Sequence, residues 1–264
     1  MKPTGTATFD LRDERDREIE REDDAATNVE PWTNVDAVSR LLSEYERAQS
    51  ERGDDARIHL DFGRAALELN GGLEKAATDA LSKYTDLAPD DPEGHYLLGA
   101  ALSCQGKHVR AALAYEAAAR LSPNDPDFLM ALHFTYFSLL RFEDAINCIE
   151  EVERIVKRHR KNKLDVRLFR VWRGIDLLLA GREEGVEQLL RPGTEFDGTI
   201  CQAAHFGLAL LAVQRRDERE LEERRSYLES VESPLLLALR AATARGSIDA
   251  REAVHALTGR PQTP

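Results

Sequence analysis

Apolar residues recur at intervals of three and four along most of this chain, which is the spacing of one face of an α-helix. The first such stretch predicts one amphipathic helix, with the apolar positions Val35, Val38, Leu41, Leu42, Tyr45 and Ala48. Pro31 and Trp32 precede it, and Thr33 or Asn34 is placed to cap its first turn. From about Arg57 onward the period stays helical, and no strand-like alternation occurs.

Turn signals divide the segment after Arg57 into predicted helices of about 12–15 residues. These signals are clusters of Gly, Pro, Asn and Asp at 70–72, 89–92 and 123–126, the segment Gln105-Gly106-Lys107, and the single glycines Gly181 and Gly246. Short turns force neighbouring helices to run antiparallel, so the predicted unit is a helical hairpin. Aromatic residues make up only 6% of the chain, which argues against an aromatic-rich β-sandwich or barrel.

The hairpin repeats at a fixed interval: Pro89 recurs as Pro123 and Ala111 recurs as Ala145, 34 residues later each time. Residues 92–125 resemble the tetratricopeptide repeat (TPR) family, whose pattern is W-x2-L-G-x2-Y, then A-x3-F, then P. The matching positions are His95, Leu98, Gly99, Leu102, Ala111, Tyr115 and Pro123. Gly99 and Ala111 are small enough for the two helices to approach closely, and Tyr115 fills the space between them.

The resemblance extends, with departures, to the segments on either side. The segment 126–159 has His133 where the family prefers a small residue, and Lys157 replaces the terminating proline. Beyond Lys163 the pattern is degenerate. The resemblance implies an all-α, right-handed α-solenoid of about six TPR-like hairpins. The expected organisation is a charged arm, an amphipathic helix, three TPR repeats, degenerate TPR-like hairpins and a tail, at 1–31, 32–56, 57–159, 160–259 and 260–264.

In TPR proteins the first helices of the hairpins line a groove, and the resemblance therefore implies where a partner would bind. The groove positions implied here are Tyr96, Met130, Phe134, Phe137, Val171 and Ile175. They are apolar or aromatic, unlike the Lys, Arg and Asn side chains with which some TPR domains grip a peptide carboxylate. Either the N-terminal helix or a second copy of the chain covers this apolar groove, or it receives an amphipathic or extended apolar peptide.

Charge is unevenly distributed in a chain whose formal net charge is −12. The segment 10–24 is strongly acidic, whereas one cluster is basic and comprises Arg154, Lys157, Arg158, Arg160, Lys161 and Lys163. This cluster is either a solvated helix end that complements the helix dipole, or a docking patch for an acidic segment of a partner or of the chain itself. The overall negative charge repels phosphate backbones, so no nucleic acid is expected as a partner.

Catalytic and cofactor-binding fingerprints are missing from the sequence. Gly106-Lys107 lacks the earlier glycine and the following Ser or Thr of a phosphate-binding loop, and the cysteines and histidines are scattered. We therefore expect no enzyme, no cofactor and no metal site. The N-terminus has no apolar run of signal-peptide length, and no run approaches the roughly 18 residues of a membrane span, which predicts a cytoplasmic protein without membrane insertion.

The sequence thus predicts a non-enzymatic TPR adaptor or scaffold that binds a protein or peptide partner. Two alternatives remain open at this point. One is a dedicated chaperone of a secreted or membrane-inserting protein, because the apolar groove resembles that of the TPR chaperones of bacterial type III secretion translocators. The other is a regulatory subunit whose repeats sense a peptide or small ligand.

Overall fold

The computed structural model describes residues 31–53, 55–69, 72–158 and 166–258, with only the backbone at 31–34. This part of the chain contains thirteen α-helices and one 3₁₀ helix, and no strand. The first seven helices are α1 Pro31–Arg52, α2 Ala56–Glu68, α3 Glu74–Leu87, α4 Pro92–Cys104, α5 His108–Leu121, α6 Pro126–Ser138 and α7 Phe142–Arg158. The others are α8 Val166–Leu179, α9 Val186–Leu190, the 3₁₀ helix Arg191–Glu195, α10 Gly198–Arg215, α11 Glu218–Ser230, α12 Leu235–Thr243 and α13 Ala250–Thr258. The prediction of an all-α fold is confirmed.

The described residues form two compact units, and the boundary between them along the chain falls within α6, between Phe128 and Leu129. The unit 31–128 contains α1 to α5 and the first turn of α6, and the unit 129–258 contains the rest of α6 and all later helices. After α1, the helices follow one another as pairs joined by short turns, as the turn signals predict. The division of the sequence into regular repeats before 159 and degenerate ones after it remains a prediction.

The helices α4 and α5 of the unit 31–128 approach each other closely at Gly99. A Cβ atom built on Gly99 would lie 2.7 Å from Cδ1 of Tyr115, and Ala111 has no exposed surface. Real Cβ atoms do not come so close to a neighbour, so Gly99 leaves room that the Tyr115 ring occupies. The role that the repeat pattern predicts for these three positions is therefore the one they have.

Polar contacts join the first hairpin, α2–α3, to the second, α4–α5. The Tyr84 hydroxyl donates to the carboxylate of Asp91, whose other oxygen caps α4 by accepting from the backbone N–H of Glu93. At the other end of α4, Nε2 of Gln105 donates to the Glu74 carbonyl at 2.8 Å and to the Thr78 hydroxyl at 2.5 Å. Asp91 is the N-cap of α4 and Gln105 is its C-cap. Both ends of α4 are therefore held against α3.

The helix α1 packs on the first hairpin through its apolar stripe, as its amphipathic pattern predicts. Tyr45 stacks on Phe62 with the ring centroids 4.0 Å apart, and its hydroxyl is hydrogen-bonded to Nδ1 of His59 at 2.8 Å. Val38, Leu41 and Leu42 join the same core. This helix consequently packs against the core of the unit 31–128, and its described side chains all keep part of their surface exposed.

The unit 129–258 departs from a regular repeat at its second hairpin. The helix α9 has only five residues and continues directly into the 3₁₀ helix Arg191–Glu195. Methyl groups built on Gly193 and Gly207 would lie 2.7 Å from Cγ2 of Val171 and 3.2 Å from Cγ1 of Ile175, respectively. The 3₁₀ helix and α10 therefore pack directly on α8 and bury its apolar face.

Candidate functional site

The groove positions predicted in the unit 129–258 are mostly buried. Met130 and Phe137 are each 3% exposed, and Val171 and Ile175 are 0% exposed. Val171 and Ile175 are covered by the 3₁₀ helix and α10, which the degenerate sequence beyond residue 163 did not indicate. These four side chains belong to the packed interior rather than to an open groove wall, and a role for them in partner binding stays a prediction.

Phe134 is the one predicted groove residue of this unit that keeps part of its surface exposed. Its ring packs edge-on against Trp172, with the centroids 5.8 Å apart, and against His133 at 4.8 Å. Phe137 also contacts the Trp172 ring. We therefore expect replacement of Phe134 and Phe137 by serine to destabilise the fold rather than to remove a partner-binding surface alone.

A more open face lies on α2, α4 and the first turn of α6 in the unit 31–128. Arg64 on α2 donates to Glu93 on α4 at 2.5 Å, and both side chains are about half exposed at 43% and 50%. One turn further along α4, the half-buried ring of Tyr96 lies 5.1 Å from that of Phe128, between centroids. We call Arg64, Glu93, Tyr96, Ala100 and Phe128 the Tyr96 face.

The Tyr96 ring rests on the interior of the second hairpin. Its centroid lies 5.7 Å from that of Tyr115, the buried aromatic ring that fills the space beside Gly99. The Tyr115 ring is buried and belongs to the core, and this burial raises the pKa of its hydroxyl. A half-exposed aromatic ring on a rigid support loses little side-chain entropy when a partner covers it.

The helix α1 leaves the Tyr96 face accessible. Its apolar residues contact the core of the first hairpin, while Arg64, Glu93 and Tyr96 each keep part of their surface exposed. The sequence predicted Tyr96 for a binding surface from its repeat position, and that role remains a proposal. Arg64 and Phe128 were missed, because the sequence gives no signal for a contact between two hairpins.

The predicted basic patch is in part neutralised by neighbouring acids. Nε of Arg154 donates to Glu151 at 2.7 Å and Nζ of Lys157 donates to Glu153 at 3.0 Å, both within α7. Arg158 is exposed. Arg160, Lys161, Lys163 and the arm at 1–30 lie outside the described residues. The structure adds three arginines that sequence reasoning missed, at 167, 170 and 173 on α8.

Two further polar clusters lie inside the unit 129–258. His133 on α6 and Asp176 on α8 are hydrogen-bonded at 2.9 Å, with both side chains fully buried. In α10 and α11, His205 stacks on Tyr227, whose hydroxyl donates to Sγ of Cys201 at 3.0 Å. No group of three or more His, Cys, Asp or Glu within the described residues could hold a metal ion.

The architecture defines the class of protein first: a helical-repeat protein built of paired antiparallel helices. No protein-family model matches the sequence, and no curated protein is significantly similar to it. Among solved structures, the chain is similar to YrrB, described as a TPR protein with an unusual peptide-binding site. The TM-score is 0.56 at 16% sequence identity, and the match covers 71% of this chain and 92% of that one.

This similarity shows that the chain has the fold of TPR proteins, an α-solenoid of helical hairpins, as the residue pattern of 92–125 predicts. At 16% identity it is evidence for the fold alone. A separate observation concerns membranes: none of the helices in the described ranges is both long enough and apolar enough to cross a bilayer.

Proposed function

We propose that this protein is a non-enzymatic TPR adaptor that binds a peptide segment of a partner protein across the Tyr96 face and so supports a multiprotein assembly. The observation that carries the proposal is the half-buried Tyr96–Phe128 aromatic pair beside the exposed Arg64–Glu93 ion pair. The fold supports it, because YrrB has the same fold and is described as having a peptide-binding site.

The chemistry of the Tyr96 face suits a short peptide. The two aromatic rings offer apolar area of the kind that dominates the binding energy at interfaces. The exposed ion pair Arg64–Glu93 contributes little to folding, so a partner can replace either member of it at small cost. The small side chain of Ala100, one turn beyond Tyr96, leaves room for a backbone to approach the helix.

The proposal is tested with a peptide library displayed on phage and selected against the full chain. The best selected peptide is labelled, and its affinity is measured by fluorescence anisotropy for the wild type, Tyr96→Ala and Arg64→Ala. We expect Tyr96→Ala to weaken binding by at least tenfold, about 1.4 kcal/mol, as a central aromatic contact does.

Leu113→Ala is the matched control, because Leu113 is 62% exposed on the second helix of the same hairpin. It should leave the affinity unchanged, and circular dichroism should show all variants to be folded. Equal affinity of the wild type and a folded Tyr96→Ala variant would contradict the proposed site. Loss of affinity only in the Leu113 variant would move the site to α5.

A further inference from the structure

The helices α7 and α8 bring two rows of basic residues together in the unit 129–258. Arg173 on α8 forms ion pairs with Glu153 at 3.1 Å and with Glu150 at 3.7 Å, both on α7. The helices α7 and α8 run antiparallel, because Arg182, beyond the end of α8, pairs with Glu143 at the start of α7. Arg170 lies one turn before Arg173 on α8, so this register places it near the level of Arg154 on α7. It likewise places Arg167 near the level of Lys157.

We call the resulting surface the basic seam, and its described cations are Arg154, Lys157, Arg158, Arg167, Arg170 and Arg173. Three carboxylates, those of Glu150, Glu151 and Glu153, pair with part of it. The six cations outnumber these three carboxylates in a chain whose net charge is −12, and the guanidinium of Arg167 also lies over the Phe196 ring, 3.8 Å from its centroid. Arg158 and Arg170 are exposed and form no ion pair with the residues that the structure describes.

The seam already binds carboxylates of its own chain in two ways. Arg154 donates to both oxygens of Glu151, and this hydrogen bonding lowers the pKa of the Glu151 carboxyl group. The Glu153 side chain is only 3% exposed and lies between Lys157 and Arg173. Guanidinium groups that are held by such neighbours are oriented for further carboxylates, because little side-chain freedom is left to lose.

We propose that the basic seam is a docking site for a short acidic peptide segment of a partner protein. A rise of 1.5 Å per residue makes the row from Arg167 to Arg173 about 9 Å long, which matches a few residues of extended peptide. A long polyanion such as RNA would extend past the seam onto a chain of net negative charge and be repelled there. A short acidic peptide contacts the seam alone.

This inference goes beyond the function proposed for the Tyr96 face and does not depend on it. The seam consists of residues of α7 and α8, whereas the Tyr96 face consists of residues of α2, α4 and α6. A partner could use one surface without the other. Tyr96→Ala should therefore leave the acidic-peptide affinity unchanged, so the failure of one proposal is distinguishable from the failure of the other.

The test uses the full chain and a labelled twelve-residue peptide of alternating Glu and Ser, titrated by fluorescence anisotropy at low and at physiological salt. The variant Arg158→Glu/Arg170→Glu reverses two exposed charges without touching a described ion pair. We expect it to weaken binding at least about tenfold, and wild-type binding to weaken several-fold on raising the salt, since exposed charges are screened over about 8–10 Å.

Arg110→Glu/Arg120→Glu is the matched control, because both arginines are exposed on α5 and the change in net charge is the same. It should alter the affinity by less than about threefold, the effect expected when the net charge of the chain changes but no cation of the seam is lost. Arg158→Gln/Arg170→Gln, which adds no negative charge, should still weaken binding. Equal loss in the seam and control variants, or tighter binding of a twelve-nucleotide RNA than of the acidic peptide, would overturn the proposal.

Discussion

The Nε2 atom of His133 lies 2.9 Å from Oδ2 of Asp176, and neither side chain has any exposed surface. The pair joins α6 to α8, so it links two successive hairpins of the unit 129–258. Nδ1 of His133 and Oδ1 of Asp176 have no hydrogen-bond partner among the described residues. Burial raises the pKa of Asp176, while the neighbouring His133 acts in the opposite direction. Each side chain therefore supplies the hydrogen bond that offsets the free-energy cost of burying the other.

Removing one member of this pair should destabilise the protein strongly. His133→Ala or Asp176→Ala leaves the remaining polar group buried without a partner, and we expect each to lower the free energy of unfolding by about 3–5 kcal/mol. The double variant His133→Ala/Asp176→Ala should cost less than the sum of the single changes, since it removes both polar groups. Urea denaturation of the four chains measures the coupling.

A surface ion pair provides the comparison for the double-mutant cycle of His133 and Asp176. Arg182 and Glu143 are 3.2 Å apart, with side chains that are 56% and 67% exposed. Arg182→Ala should cost less than about 1 kcal/mol. Additive effects of the two buried substitutions would show that His133 and Asp176 do not stabilise each other.

Stability should fall in acid because of His205. Burial, followed by the charge of Arg224, lowers the pKa of His205 to about 4, whereas an unfolded histidine titrates near 6.5. The unfolded chain therefore takes up this proton first. The contribution of the neutral His205 is fully present above about pH 6.5 and is lost as the pH falls towards 4, by at most about 1.4 kcal/mol per pH unit.

His205→Phe keeps an aromatic ring for the stack on Tyr227, whose centroid lies 3.7 Å from that of His205, but it cannot titrate. We expect the difference in unfolding free energy between pH 7.5 and pH 5 to be smaller in this variant than in the wild type. His255→Phe, on α13, is the control and should retain the wild-type pH dependence. An unchanged dependence in His205→Phe would show that other groups cause it.

Gly99→Leu should destabilise the second hairpin of the unit 31–128. Even a Cβ atom there would lie 2.7 Å from the Tyr115 ring, so the larger side chain must displace it. We expect a loss of about 1–3 kcal/mol or more, read from thermal melts. Ala100→Leu changes the next residue, which is half exposed, and should cost much less. Equal melting temperatures of the Gly99 variant and the wild type would show that the helices do not meet at Gly99.

Tyr45→Ala should loosen α1 from the first hairpin. The substitution removes the stack on Phe62 and the hydrogen bond to His59. Since Tyr45 is half exposed, we expect a loss of about 1–3 kcal/mol, and faster hydrogen exchange confined to α1. Val35→Ala on the same helix, where Val35 is 64% exposed, should leave the exchange unchanged. Uniformly faster exchange over 31–128 would mean that α1 unfolds together with the hairpins.

The sequence alone was sufficient to predict the hairpins, because the contacts within a hairpin are short in range and recur every 34 residues. Gly99, Ala111 and Tyr115 are examples: two small residues and one ring at repeat spacing require a close helix crossing, which the structure has. The amphipathic stripe of α1 likewise predicts the packing of Val38, Leu41, Leu42 and Tyr45, since helical period decides which side chains share a face, whereas Val35 of the same stripe stays exposed.

The accessibility of each surface depends on the tertiary structure. The sequence predicts groove positions for Val171 and Ile175, yet the 3₁₀ helix and α10, which follow the five-residue α9, cover both side chains. The sequence marks Asp176 only as a single acidic residue within an apolar stretch. Its hydrogen-bond partner His133 lies 43 residues away on another hairpin. Contacts between hairpins join residues that no repeat period relates, so burial and ion pairing were decided only when the helices packed.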